Sequence, residues 1–155
     1  MKIRKATIED FEGVKRLFVL LFVQHSEYNY GLETDWPGES KGEECIKNFL
    51  TNPKHYTLVC EEDNQIVGYL TGSLEESPDY LRSLRIAEIN TTFIDERFRN
   101  KKIGSELTNR FTIWAKENGA NTLIVDVLSE NSRGINFYKL NGFNDYRVII
   151  KKDLK

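Results

Sequence analysis

Between Arg97 and Lys102, four basic side chains (Arg97, Arg99, Lys101 and Lys102) fall within six residues with no acid among them, and Gly104 comes soon after. The turn leads out of a β-prone stretch into Ile103, Leu107, Phe111, Trp114 and Ala115, which share one face at helical spacing. A helix starting there points unpaired N–H groups and the positive end of its dipole at whatever lies before it. With a glycine that lets a ligand reach the backbone, the combination suits a phosphate or pyrophosphate. A solvated basic turn is the plainer reading of the same residues. The Walker and Rossmann glycine patterns are both missing, so an anion site here is of another type.

A second group lies just upstream. On a strand through Arg85 to Ile94, Glu88, Asn90, Thr92 and Ile94 share one face, and three polar neighbours on it suit a wet cleft. A half-exposed glutamate on a solvated face is the alternative. Cys45 has no His or Asp close in sequence, and Cys60 sits in the apolar run Thr57-Leu58-Val59-Cys60 and reads as core, so neither suggests a catalytic thiol. His25 and His55 stand apart and read as structural, and no Cys/His spacing of metal-binding type occurs.

The elements that must position these residues emerge from periodicity. Lys2 to Ala6 alternates as a short strand, and Thr7 with Asp10 makes a weak capping box. Phe11, Val14, Leu17, Phe18, Leu21 and Phe22 give a first helix to about residue 24. From Gln24 to Glu44 the pattern lapses into a loop, resuming as a short helix near Glu43 to Leu50. Tyr56–Glu61 and Gln65–Leu74 predict a hairpin around Glu62-Asp63-Asn64. The run Arg85–Ile94 predicts the next strand, Ile103–Asn118 a helix ending at Gly119, and Thr122–Val127 a strand covered on both faces. Ser132–Asn141 predicts a helix closed by Gly142, and Phe143–Lys151 a final strand. The order implies a mixed α/β (α+β) sheet with helices on its faces.

At this point the chain resembles the GCN5-related N-acetyltransferase (GNAT) superfamily. The family signature Arg/Gln-x-x-Gly-x-Gly/Ala is similar to Arg99-Asn100-Lys101-Lys102-Ile103-Gly104, with Lys102 standing at the first glycine. A left-handed backbone there would cost a lysine roughly 1 kcal/mol or more. The segment Asn131-Ser132-Arg133-Gly134-Ile135-Asn136-Phe137-Tyr138, with Gly142-Phe143 beyond, resembles the family's Asn-x-x-Ala-x-x-x-Tyr-x-x-x-Gly-Phe, and Ile3 to Asp10 looks like the family's opening. The match spans nearly the whole chain, residues 1–155, taken as a single domain with a mostly antiparallel central sheet flanked by helices on both faces.

The resemblance implies acetyl-CoA-dependent transfer of acetyl directly to a primary amine. Thr92, Phe93, Ile94, Arg99, Asn100, Lys101, Lys102, Ile103, Gly104, Ser105, Asn131 and Tyr138 would hold the cofactor. Tyr138 would serve as general acid toward the leaving sulfur and Glu88 as base, while backbone N–H near Thr92 would polarise the thioester carbonyl. Asn131 would either bond the cofactor arm or cap the following helix. The segment 24–44 would form the substrate wall. Its acids Glu27, Glu33, Asp35, Glu39, Glu43 and Glu44 face only Lys41, and Glu75, Glu76 and Asp79 add to the bias. Together with Tyr28, Tyr30 and Trp36 they would favour a cationic small molecule such as a polyamine, an aminoglycoside-like amine or a lysine-like amine. Solubilising loop acids, a peptide N-terminal acetyltransferase and a non-catalytic acyl-CoA sensor remain alternatives. The family often dimerises through its later strands, which admits a homodimer.

Composition narrows the rest. At 155 residues, 39% apolar and 30% charged, the chain has the makings of one globular core. A net charge of −2 offers no broad field for nucleic acid or anionic membrane. The longest apolar run, Leu17 to Val23, is far shorter than the ~20 residues that span a bilayer, and acids precede it as they would not in a signal peptide. The expectation is a metal-free cytoplasmic protein.

Overall fold

The computed structural model describes residues 1–28, 31–81 and 83–154. Its elements are β1 (Lys2–Lys5), α1 (Phe11–His25), α2 (Ser40–Thr51), β2 (His55–Glu62), β3 (Gln65–Glu75), β4 (Ile86–Ile94), α3 (Ile103–Glu117), β5 (Thr122–Val125) and α4 (Ser132–Leu140). The strands lie side by side in chain order. The first three pairs are antiparallel, and β4 and β5 run parallel. The mixed, mostly antiparallel sheet expected from the sequence is the one observed.

Alternation along the central strands sorts the core into two layers. Val59, Ile66, Tyr69 and Phe93 pack with Val14, Leu17 and Phe18 of α1 and Ile46 of α2. Leu58, Cys60, Val67, Leu70, Ala87 and Ile89 pack on the other face with Ile103, Leu107 and Phe111 of α3. The β2–β3 hairpin closes through Asp63 and Asn64, both left-handed (φ 50° and 60°), the two-residue turn whose twist matches its strands. Arg4 ties β1 to its neighbours. Its guanidinium donates two 2.8 Å bonds to the Asp10 carboxylate and one of 3.0 Å to Glu61. Asp10 also accepts from the Thr7 N–H at 2.8 Å, and the Arg4 bonds hold its carboxyl below the ordinary range.

The irregularity that matters most is in β4. Pairing with β3 passes from Thr71 opposite Thr91 to Gly72 opposite Ile89, which leaves Asn90 without a counterpart. This is a bulge, an extra residue that bends the strand and re-aims the side chains beyond it. Two neighbours secure it. The Tyr69 hydroxyl, on a fully buried ring, lies 3.0 Å from Thr91 Oγ1. Gly72 has no room for a side chain, because a Cβ would collide with the Phe111 ring and the Glu88 carbonyl.

Two expectations fail at the C-terminal end. The strand predicted over Phe143–Lys151 does not form, and residues 144–154 belong to no helix or strand. The predicted Thr122–Val127 strand stops at Val125 and is only half buried, since it is the outermost strand and has no neighbour on its far side among the described residues. Periodicity reports what a segment is suited to do, and does not decide whether it docks on an available edge.

The bulge yields a stability test. Gly72→Ala should destabilise the protein by about 1–3 kcal/mol, the cost of overpacking a filled core. Denaturant unfolding should show a lowered midpoint, and near-wild-type stability would contradict the packing described.

Candidate active site

β4 and β5 pair only from Ile86–Thr122 to Ile89–Val125, after which β4 continues to Ile94 paired with β3 alone. The strands part at the bulge, and a cleft of about 1110 Å³ opens between Asn90–Ile94 and Val125–Leu128. The start of α3, the length of α4 and the end of α1 complete its walls. Thr92, Phe93, Ile94, Arg99, Asn100, Lys102, Ile103, Gly104, Ser105, Asn131 and Tyr138 all line it. Lys101, Glu88, Tyr28, Glu33 and Trp36 do not, and Tyr30 lies outside the described residues.

The basic turn is less positive than its sequence suggests. Asp95, buried at the end of β4, accepts bonds from the Arg97 backbone N–H (3.2 Å) and guanidinium (3.1 and 2.8 Å), and from Arg16 at 3.1 Å. Those bonds, chiefly Arg97's, outweigh burial and hold its carboxyl well below the usual carboxylate range. Arg99 donates to the Ile94 carbonyl (3.0 Å), to Glu96 (3.1 Å) and to Gln24 of α1 (2.7 Å), and lies over the Phe93 ring. Burial, and next the charge of Arg133, disfavour the Arg99 cation. Arg99 therefore clamps the loop to the sheet and to α1. Lys101 turns away toward Glu62 at 3.8 Å and the Phe98 ring.

Two cations remain for a ligand. Lys102 and Arg133 both line the cleft and form no ion pair among the described residues. Sequence reasoning misses Arg133, whose position in the first turn of α4 becomes informative only once that turn faces the start of α3. Lys102 caps α3 in the left-handed conformation (φ 61°), as the residue in place of a glycine must, and Asn100 is left-handed too (φ 63°). Gly104 lies under the Phe137 ring, to which a Cβ would approach 3.0 Å.

Tyr138 packs between Phe137 and Phe143, with centroids 5.0 and 5.2 Å away. Burial raises its phenol pKa, and the nearby Thr92 side chain only partly offsets the effect. A proton therefore stays on the oxygen at neutral pH. Thr92 Oγ1, also in the cleft wall, is shut off from solvent and faces the Tyr138 hydroxyl. Asn131 caps α4, its Oδ1 accepting from the Gly134 N–H at 2.9 Å, which favours the capping alternative for its side chain.

Three titratable groups lie in or near the cleft. Glu88 is half buried, and burial first, then Glu75 and Asp126, raise its pKa. Asp126 lines the cleft itself, linking Glu88 electrostatically to it. His25, expected to be structural, lines the cleft at the end of α1, and burial lowers its pKa. In the segment expected to form the substrate wall, Trp36 stacks on Phe22 (5.7 Å, 15°) as part of the core, and Tyr28 sits beside His25 at 5.4 Å. Glu43 is paired with Lys15 at 2.5 Å. Cys45 and Cys60 are free thiols outside the cleft, and burial raises the pKa of both. Among the described residues no group of His, Cys, Asp and Glu could hold a metal, and no helix is long and apolar enough to cross a membrane.

The arrangement defines a class: a sheet splayed at a bulge beside a helix N-terminus. The Acetyltransferase (GNAT) family model matches residues 16–143. The chain belongs to that family of acetyl-CoA-dependent acyltransferases. It is 26% identical over 147 residues to the uncharacterised N-acetyltransferase MJ1207 of Methanocaldococcus jannaschii, covering 95% of this chain and 62% of that protein. The chain thus spans less than two thirds of that relative's length. Its fold is similar to that of a mutant of the BH1408 protein from Bacillus halodurans (TM-score 0.90, 22% identity, 100% of both chains). It is also similar to AAC(6')-Iy in complex with the bisubstrate analogue CoA-S-monomethyl-acetylneamine (TM-score 0.76, 17% identity, 99% and 98% of the chains).

The loop can be tested at two positions. Lys102→Gly should stabilise the protein by about 1 kcal/mol, through relief of the left-handed lysine, seen as a raised Tm. Asp95→Asn should cost about 2 kcal/mol at neutral pH, the worth of bonds to a charged group. Because Asp95's folded pKa is depressed, its contribution is complete above the unfolded value of ~3.9 and is lost as pH falls toward the folded one. The stability gap between wild type and Asp95→Asn should therefore shrink in acid, and a pH-independent gap would contradict the assignment.

Proposed function

We propose that this protein is an N-acetyltransferase that moves acetyl from acetyl-CoA to a primary amine of a cationic small molecule. The observation that carries the reading is the splayed cleft with a protonated, half-buried Tyr138 in its wall beside the N-terminus of α3. The residues present fit the donor. Lys102, Arg133 and the free N–H groups at the start of α3 suit its phosphates, and the β4 edge from Asn90 to Ile94 suits its arm. When bound, acetyl-CoA supplies an activated thioester, so no covalent nucleophile is needed from the protein.

The protein's own part is then positioning and proton handling. Tyr138 holds a proton where a departing sulfur would need one. The bulge turns backbone at Asn90–Thr92 toward the cleft, where N–H groups can stabilise charge growing on a carbonyl oxygen. An ammonium substrate must lose a proton before attack. Glu88, made more basic by burial, is our candidate acceptor, acting through the cleft-lining Asp126 or a water. His25, kept neutral by burial, is the competing acceptor.

For the acceptor class, Asp126 in the cleft supports a cation, as do the exposed acids Glu27 and Glu33, which neighbour the cleft-lining His25 and Leu32 in sequence. Tyr28 stands beside His25 at the same end. The likeness to a fold that holds a CoA–neamine analogue is compatible with this but carries no specificity by itself. The unpaired cysteines suit a reducing compartment, and we assign the protein to the cytoplasm.

The test is thiol release from acetyl-CoA with a panel of amines. Polycationic amines should be preferred over neutral ones, with KM rising as salt screens the acids. Tyr138→Phe should lower kcat by about 10²-fold or more with little change in KM. Glu88→Gln should remove the acidic limb of the pH–rate profile, whereas loss of that limb in His25→Gln alone would transfer the role. Acetyl-CoA binding without turnover on any amine would favour a sensor, and turnover on peptide N-termini alone would favour the peptide alternative.

A further inference from the structure

The extra residue of the β4 bulge carries a side chain whose orientation follows from its neighbours. Asn90 has no opposite residue on β3, so its amide takes a partner diagonally, on Ser73. Ser73 is buried, and its Oγ lies 2.6 Å from Glu75 Oε1 and 3.1 Å from Asn90 Oδ1. Both of those oxygens are acceptors, and a hydroxyl has a single proton to give. The short, charge-assisted bond to the carboxylate takes it. Asn90 must then present Nδ2 to Ser73 in place of Oδ1, a turn that leaves the outline of the amide unchanged.

With Nδ2 spent on Ser73 of β3, Oδ1 occupies the other end of the amide, on the side away from β3. β4 lies between β3 and β5, so that side is the gap where β4 and β5 part. Asn90 is exposed there in the cleft wall, and this end of its amide has no hydrogen-bond partner among the described residues. Its surroundings are acidic. Glu88 precedes it by two residues, Asp126 lines the same cleft, and Glu75 and Asp126 both act electrostatically on the Glu88 carboxyl. Arg147 opposes them and is the weakest of the four influences on Glu88.

We propose that the Asn90 side-chain carbonyl accepts an N–H from the primary ammonium of the acceptor, with Ser73 and Glu75 as positioning residues that keep this oxygen turned into the cleft. The proposal rests on the reading that the acceptor is a cationic amine. An acceptor oxygen among carboxylates suits a cation that carries N–H groups, whereas a cation without them feels the acids and gains nothing from Asn90. Along β4, Asn90 falls between Glu88, the candidate proton acceptor, and Thr92, which faces the Tyr138 hydroxyl. An ammonium held there lies between the group that would take its proton and the phenol that would supply one to the leaving sulfur. Without Glu75 the Ser73 proton would pass to Asn90 Oδ1, and the amide would turn Nδ2 to the cleft, a donor facing a donor.

The test is calorimetric titration of the full chain with hexamethylenediamine and with hexamethonium, its fully N-methylated counterpart, which matches it in charge and spacer and lacks N–H groups. Wild type should bind the diamine about 5-fold or more tightly, the worth of one hydrogen bond. Glu75 is exposed, so Glu75→Ala should keep the fold, checked by circular dichroism. Loss of its charge weakens both ligands alike, but loss of the orientation should bring their ratio to about 1. Glu75→Ala combined with Asn90→Asp should restore the preference, because a carboxylate accepts through either oxygen. No binding of the diamine, a wild-type ratio near 1, a ratio that survives Glu75→Ala, or one that stays lost in the double variant would each overturn the proposal. Turnover is read separately: the expected ratios with no amine acetylated would support the role of Asn90 in binding and overturn only the transfer reading.

Discussion

The extra residue in β4 is the constraint on which the rest depends. A parallel strand pair held in register to its end would leave no space between β4 and β5. Asn90 bends β4 just past the last paired position, so the two strands separate where α3 and α4 begin. Gly72 and Tyr69 make the bend tolerable from the neighbouring strand, one by having no side chain and the other by bonding Thr91. The cleft is thus a consequence of packing in β3 as much as of the residues that line it.

The loop between β4 and α3 solves a related problem. It must hold two residues in left-handed geometry and keep several cations close together. Asp95, Glu96 and Glu62 neutralise most of those cations, and Arg99 spends its donors on the protein, including Gln24 at the end of α1. The loop at the start of α3 and the end of α1 are therefore joined across the cleft through one guanidinium. What is left for an anion is a rigid backbone with Lys102 and Arg133, a smaller but better-placed charge than a bare count of basic residues suggests.

Much of this is legible in the sequence. The hairpin at Asp63-Asn64, the amphipathic α1 and α3, and the strand–turn–helix around Gly104 all carry local signals strong enough to survive tertiary context. Apart from Lys101, every cofactor-side residue named from the sequence lines one cleft. The acceptor side is harder to read. Trp36 looks like a binding aromatic in a polar loop, yet stacking on Phe22 makes it core, a fact that depends on α1 and α2 meeting. His25 and Arg133 belong to the cleft only because helix ends distant in sequence converge on it. The absent strand at 143–151 is the clearest case, since Tyr146, Val148, Ile149 and Ile150 favour β-structure, yet the segment stays off the free edge of β5.

The two cysteines acquire meaning from the donor the family uses. A thioester acylates thiolates readily, and a protein that concentrates one beside itself risks modifying its own side chains. Cys60 is buried and Cys45 half buried, both lie away from the cleft, and burial keeps both protonated at neutral pH. The fold thereby shields its acyl donor from self-acylation, leaving the amine as the nucleophile with access.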